Sequence, residues 1–247
     1  MATTTLPSLE EMLEAGVHFG HQTNKWHPGM KKFIFDAREG IHVINLEDTY
    51  SQLEKAFDFI AEHIRTTPNP QIVFIGTKRQ AAPVVREKAI EAGVFHVTNR
   101  WPGGLITNFN ELKRAIKHYN ELGQVMKDAK QMEALTTKNR YATIKEHTKL
   151  GVIFEGVSGL TKPPTLLVII DPRREKTAIN EARLKNIPTI GIIDTNTDPS
   201  LVDLPIPAND DALKSIELIL GSISKTVQNT RLAQKEKDDK KNEDTKE

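Results

Sequence analysis

The sequence predicts an α/β fold: a parallel sheet with helices on both faces, and a helical hairpin inserted between two of its strands. Three observations carry the prediction. The runs 71–75, 165–170 and 189–193 are almost entirely apolar, as in strands buried on both faces, where the alternation of a half-exposed strand is lost. Helical patterns at 80–92 and 177–185 lie among them, and alternating β and α segments build parallel sheets. The stretch 108–148 holds no plausible strand, and Leu112, Ile116, Tyr119, Leu122, Val125 and Met126 recur there at helical spacing.

Along the chain, Ser8-Leu9-Glu10-Glu11 has capping-box spacing, a hydroxyl for the third amide and a carboxylate that reaches back. A short helix therefore runs to Gly16, which suits a left-handed C-terminal cap. The β-rich runs 32–35 and 41–44 flank Asp36-Ala37-Arg38-Glu39-Gly40 and read as a hairpin. Across 48–65, Leu53, Phe57, Ile60 and Ile64 form the stripe of an amphipathic helix, which Pro68-Asn69-Pro70 ends. The strand 71–75 stops at Gly76. The helix 80–92 carries Pro83 in its first turn, where proline is tolerated, and 95–97 is a short strand.

Asn108-Phe109-Asn110-Glu111 repeats the capping-box pattern, and Thr136-Thr137-Lys138-Asn139 reads as a turn before the thinner stripe begun by Tyr141 and Ile144. Two antiparallel helices follow from this. Leu204-Pro205-Ile206 is a short strand that proline confines to an edge or terminus, and 210–227 is a closing helix. The division is an α/β domain over 1–107 and 150–228, including the N-terminal helix and hairpin, a helical insertion over 108–149, and a charged tail over 229–247. That tail has too little apolar surface to order.

The chain has 247 residues, with 34 Lys and Arg against 33 Asp and Glu, a formal net charge of +1, and no cysteine. The lack of cysteine excludes disulfides, thiolate zinc sites, iron–sulfur clusters and cysteine nucleophiles, and favours a reducing compartment. No apolar run approaches the roughly 20 residues of a membrane helix. No basic flank precedes an apolar core near the start, so the reading is a soluble intracellular protein. A net charge near zero argues against a uniformly cationic nucleic-acid binder but leaves local patches open. The insertion, 108–149, is such a patch, with nine Lys and Arg against five Asp and Glu.

Catalytic constellations are sparse. Gly76-Thr77-Lys78-Arg79-Gln80 follows a strand but lacks the second glycine and the Gly-Lys-Ser/Thr ending of a phosphate-cradling loop, and no G-x-G-x-x-G turn is present. Lys78 and Arg79 stand either as phosphate binders or as the solvated start of a helix. Gly156-Val157-Ser158-Gly159 is not a nucleophile elbow. Asp171 and Asp194 end their strands, where two carboxylates serve as acid and base or hold a cation, and more commonly cap a turn.

His18, His21 and His27 cluster without a compact zinc spacing. One arrangement brings His18, Asp194 and Asp210 together on a divalent cation, magnesium or zinc. The plainer one has Asp210 capping the last helix and Asp194 holding a turn. Lys25-Trp26-His27-Pro28-Gly29-Met30-Lys31-Lys32 and Asn99-Arg100-Trp101-Pro102-Gly103-Gly104 set aromatic rings among cations and glycines. Arginine forks phosphate, tryptophan stacks on an exposed base, and glycine lets backbone approach. The alternative for both tryptophans is a place in the packing.

Several segments, in chain order, resemble the bacterial ribosomal protein S-two family of the small subunit. They are Ala15-Gly16-Val17-His18-Phe19-Gly20-His21-Gln22-Thr23, Trp26-His27-Pro28-Gly29-Met30, Phe74-Ile75-Gly76-Thr77-Lys78, Arg100-Trp101-Pro102-Gly103-Gly104-Leu105-Ile106-Thr107-Asn108, Ile193-Asp194-Thr195-Asn196-Thr197-Asp198-Pro199 and Ile206-Pro207-Ala208-Asn209-Asp210-Asp211-Ala212. The likeness spans roughly 6–228. Residues 151–164 depart from the family's Gly-Gly and Gly-Leu-Pro pattern.

The resemblance implies a flavodoxin-like domain with a coiled-coil hairpin that binds small-subunit ribosomal RNA near the head–body junction. It also implies help in docking the mRNA-binding protein S-one, a cytoplasmic place in the small subunit, and no catalysis, membrane contact or homo-oligomer. The candidate RNA-binding residues are Lys25, Trp26, His27, Lys31, Lys32, Lys78, Arg79, Arg100, Trp101, Lys113, Arg114 and Lys117. The rival readings are a doubly wound nucleotide-binding enzyme and a scaffold whose hairpin binds only proteins.

Overall fold

A computed structural model describes residues 6–244, with side chains to Glu236. The first element forms as its spacing predicts: the Glu11 amide donates to the Ser8 hydroxyl at 3.1 Å, the Ser8 amide donates to the Glu11 carboxylate at 2.7 Å, and α1 spans Leu9–Glu14. Gly16 follows at φ +72°. A strand that the sequence did not announce comes next, β1 (Phe19–Gln22). It is short, and Gly20 and His21 erase any apolar alternation.

A 3₁₀ turn, Pro28–Phe33, takes up residues expected in a strand. β2 (Ile34–Arg38) and β3 (Ile41–Ile44) then form the hairpin, and the sheet order is β1-β3-β2, antiparallel throughout. The connection is Glu39-Gly40 alone, at φ +50° and +77°. A two-residue turn with both φ positive matches the strand twist, so the expected five-residue linker is shorter and 36–38 join β2. In α2 (Leu46–Thr66), the stripe Leu53, Phe57, Ile60 and Ile64 is buried as predicted.

β4 (Ile72–Ile75), α3 (Ala81–Ala92) and β5 (Phe95–Val97) follow. The insertion comprises α4 (Phe109–Lys127), α5 (Ala129–Ala134) and α6 (Thr137–Phe154). Two helices were expected and three are present. α6 also runs past 149, so the insertion ends at the 3₁₀ turn Glu155–Val157. Asn108 makes no capping hydrogen bond, because its backbone sits at φ −130°, ψ 43°, away from the extended geometry a cap needs. α4 and α6 are antiparallel: a Cβ on Gly123 would meet the His147 ring at 3.1 Å and one on Gly151 the Tyr119 ring at 3.5 Å, so contacts run in opposite senses along the two helices, and Tyr119 stacks on His147 at 4.6 Å.

β6 (Leu166–Ile170), α7 (Lys176–Leu184), β7 (Thr189–Ile193), β8 (Leu204–Pro207) and α8 (Leu213–Asp244) complete the chain. The five-stranded sheet is parallel, in the order β5-β4-β6-β7-β8. Counted within that sheet the order is 2-1-3-4-5, the flavodoxin-like doubly wound arrangement. Alternate residues divide the core. Ile72, Phe74, Val168 and Ile192 face α2, α3 and α8, while Val73, Ile75, Leu167 and Ile169 face Trp101, Phe109, Phe154 and Ile179.

Pro205 and Pro207 lie in β8 at the sheet edge. Ile206 pairs with Ile192 and the Ala208 amide donates to Ile193, so both proline nitrogens point away from β7. The tail expected to be disordered from 229 instead continues α8. The Arg231 guanidinium fixes it, donating to the carbonyls of Ala92 at 3.2 Å and Pro70 at 3.4 Å, and the Ala-, Gln-, Lys- and Glu-rich sequence favours helix. Residues 245–247 lie outside the described residues.

Candidate nucleic-acid interface

Because the five strands are parallel, the loops after them share one edge, where doubly wound sheets hold ligands. The switch point lies between β4 and β6. Thr77 donates from its amide and its hydroxyl to Glu175, tying together the loops after these two strands. Lys78 donates to Asp210 at 2.7 Å and lies 2.6 Å from Asp211. His21 Nδ1 stands 3.0 Å from Asp194, and its Nε2 stands 3.3 Å from Asp211. Strand β1 is thereby fastened to the loops after β7 and β8.

The Lys78 ammonium is already committed to this network. Its expected availability to external phosphate is corrected: it neutralises buried acid. Asp210 is 1% exposed. Burial, with the Asp194 and Asp171 charges, pushes its carboxyl up to about 7 against the opposing pull of Lys78. The His21 imidazole is shifted upward, chiefly by its hydrogen bond to Asp194.

The expected convergence of His18, Asp194 and Asp210 does not form. Among the described residues, the group whose ligand atoms approach within 4.8 Å of one another is His21, Asp194 and Asp211. His18 lies in the turn before β1, with its ring against Phe19 at 4.0 Å, whereas His21 lies within β1. The plainer alternative holds for Asp194, which accepts from the Thr195 amide at 2.5 Å in the turn after β7. In the turn before α8 it is Asn209, not Asp210, whose side chain accepts from the amides of Asp211 and Ala212, at 2.9 and 3.0 Å.

The two tryptophan loops have opposite characters. Trp26 is 37% exposed, with its ring 5.5 Å from that of His42. Lys25 and Lys31 are exposed, and Lys32 lies over Phe33 at 4.7 Å. His27 is a cap, accepting from the Gly29 amide at 3.2 Å while its own amide donates to Thr195 at 2.7 Å. Trp101 is 6% exposed and serves as a packing anchor, so stacking on a free base is closed to it. Its Nε1–H donates to Glu181 at 3.0 Å, and the amides of Gly104, Ile106 and Thr107 and the Thr107 hydroxyl donate to the same carboxylate. Glu181 thus holds the 101–107 loop in shape while Arg100 stays exposed.

Arg79 is exposed at the start of α3. On α4, Lys113 is exposed, Arg114 meets Glu111 at 3.0 Å, and Lys117 lies 3.6 Å from Glu121. Both pairs are solvent-facing and worth about 0–1 kcal/mol, so either cation is released at little cost. Sequence reasoning missed His21 as the network's histidine, Glu181 as the loop's anchor, and the exposed pair Arg173-Arg174 on the loop after β6. Two adjacent arginines just past an apolar strand were a readable signal. Glu181 stands in the stretch 164–188 that also resembles the family, but its role could not be read there, because its partners are distant in sequence.

The sequence matches the family described as Ribosomal protein S2 across residues 12–230. The chain belongs to that family. It is 43% identical over 220 residues to the small ribosomal subunit protein uS2 of Coprothermobacter proteolyticus, covering 89% of this chain and 81% of that one. It is 41% identical over 229 residues to that of Gloeobacter violaceus, covering 93% and 82%. With that of Dictyoglomus thermophilum the identity is 42% over 219 residues, covering 89% and 88%. As a member of the ribosomal protein S2 family the chain is a structural protein and not an enzyme. The Lys78 ammonium, just after β4, is held by Asp210 and Asp211 beyond β8.

Proposed function

We propose that this chain is a structural constituent of the small ribosomal subunit, in the cytoplasm, where it binds small-subunit ribosomal RNA near the head–body junction and helps dock the mRNA-binding protein S-one. The observation that carries the reading is the family match over residues 12–230, together with relatives named as small-subunit proteins across most of their length. The RNA-binding part is supported by the exposed cations Lys25, Lys31, Arg79, Arg100 and Lys113 and by the half-open ring of Trp26.

The helical insertion acts as a coiled-coil arm. Leu112, Ile116, Tyr119 and Met126 keep to the four-and-three spacing of a coiled-coil seam, and α4 and α6 meet through Tyr119 and His147. Its cationic outer face, Lys113, Arg114 and Lys117, lies against RNA. No helix among the described residues is long and apolar enough to cross a membrane. The native chain should co-sediment with small subunits. Replacing Lys113, Arg114 and Lys117 with Glu should weaken incorporation most at low salt and flatten its dependence on salt, while leaving the melting temperature unchanged. Incorporation of the triple variant equal to wild type across a salt series would sink the RNA role of this face.

A further inference from the structure

The loops after neighbouring parallel strands stand about 4.8 Å apart, so cations placed one per loop form a row. Arg100 follows β5, Arg79 follows β4, and Arg173 and Arg174 follow β6, in the spatial order β5-β4-β6. All four are exposed, and none forms an ion pair among the described residues. The row continues past β7: the His27 amide donates to Thr195 at 2.7 Å, which brings the turn bearing Lys31 over the loop after β7.

The arginine pair is held from below. Asp171 sits at φ +55°, the Arg174 amide donates to Asp171 at 3.0 Å, and the Glu175 amide donates to Pro172 at 3.2 Å. Glu175 and Asp171 are both buried beneath the turn, and Glu175 is bonded to Thr77. The acids face inward and the guanidiniums outward, on backbone already fixed, so little ordering entropy opposes a contact there.

We infer that this row is a phosphate track, and that Arg173 and Arg174 bind backbone phosphates of RNA. The inference rests on the RNA-binding reading above and adds a second contact surface, separate from the insertion. Guanidinium is the side chain that grips phosphate bidentately. RNA is favoured over an acidic protein because Trp26, exposed and next to the His27 amide that is bonded to Thr195 after β7, offers a stacking face that a base uses and an acidic peptide does not.

The test uses the full chain and small subunits stripped of this protein, with affinity followed across a KCl series and RNA backbone protection read by hydroxyl radicals. The variant pairs R173Q with R174Q. A control pairs K162Q with K185Q, which removes the same charge from the opposite end of the sheet. Two lost phosphate contacts lower the slope of log affinity against log salt by about 1.4–1.8, and one patch of backbone protection disappears. The control retains both. An unchanged slope and footprint, or an equal loss in the control, would overturn the contact. Weaker incorporation with the RNA footprint intact would also overturn it, since the arginines would then meet a protein. A wild-type chain that incorporates without protecting any RNA would overturn the RNA-binding reading itself.

Discussion

Glu181 is 7% exposed and accepts five hydrogen bonds from the 101–107 loop. Burial raises its pKa, but the bonds from Gly104, Trp101, Thr107 and Ile106 bring it below the ordinary glutamate value of 4.5. A depressed carboxylate contributes stability that is present above 4.5 and lost as pH falls through the folded value. Glu181→Ala leaves several buried donors unmet and should cost about 3 kcal/mol by urea unfolding, with a red shift of Trp101 emission. Glu181→Gln should flatten the acid limb of stability against pH. A Glu181→Ala variant as stable as wild type would show that the loop holds itself.

Lys78 and Asp210 make the opposite case. Removing one member of a buried pair strands the other, so Lys78→Met should cost about 3–5 kcal/mol. Asp210 is raised above its ordinary value by burial and by neighbouring acids, so its linked stability is full below 3.8 and declines as pH rises through about 7. The Lys78→Met deficit should therefore shrink on acidification, and Asp210→Asn should rescue it at pH 8. Lack of rescue in the double variant would place the cost elsewhere. Neither partner choice could be read from sequence: His18 and His21, or Asp210 and Asp211, are equivalent until β1 has a register and Asn209 has set the turn before α8.

The helical stripes of α2 and the insertion were legible because 3.6-residue periodicity survives without tertiary information. The junction at 155–157 was not, because a close approach leaves no periodic trace. Gly156 makes that approach: a Cβ there would stand 2.2 Å from both the ring Nδ1 and the carbonyl oxygen of His96. The ring can rotate, but the carbonyl belongs to a sheet residue and cannot withdraw. Gly156→Ala should therefore destabilise by roughly 1–3 kcal/mol, seen as a lower urea midpoint at unchanged slope. A wild-type midpoint would mean that the turn is free to shift. β1 was missed for a related reason, since four residues containing Gly20 and His21 carry no strand signature until β3 supplies their partner.

At the scale of the molecule, the doubly buried strands made the parallel sheet legible, and their alternation assigned each residue to one of two cores. The length of α8 was not legible, because composition counts apolar surface and misses a single arginine used as a clamp. Arg231 joins the last helix to the carbonyls at the end of α3 and before β4. Arg231→Ala should cost about 1–3 kcal/mol, lowering the melting temperature by roughly 2–4 °C per kcal/mol for a chain of this size. Truncation after Glu236 should leave it within error. Equal losses from both changes would show that the charged end, and not the clamp, stabilises the helix.

The outer margin of β8 offers a newcomer nothing to grasp. With Pro205 and Pro207 at the two outward positions, no amide hydrogen projects from that side, and the Pro207 carbonyl is already taken by the Thr49 hydroxyl of α2 at 2.6 Å. A wandering strand, from another copy or from a half-made chain, finds neither donors nor a free acceptor at Pro207 with which to zip on. One flank of the sheet is thus closed to self-association by two residues that also complete the fold.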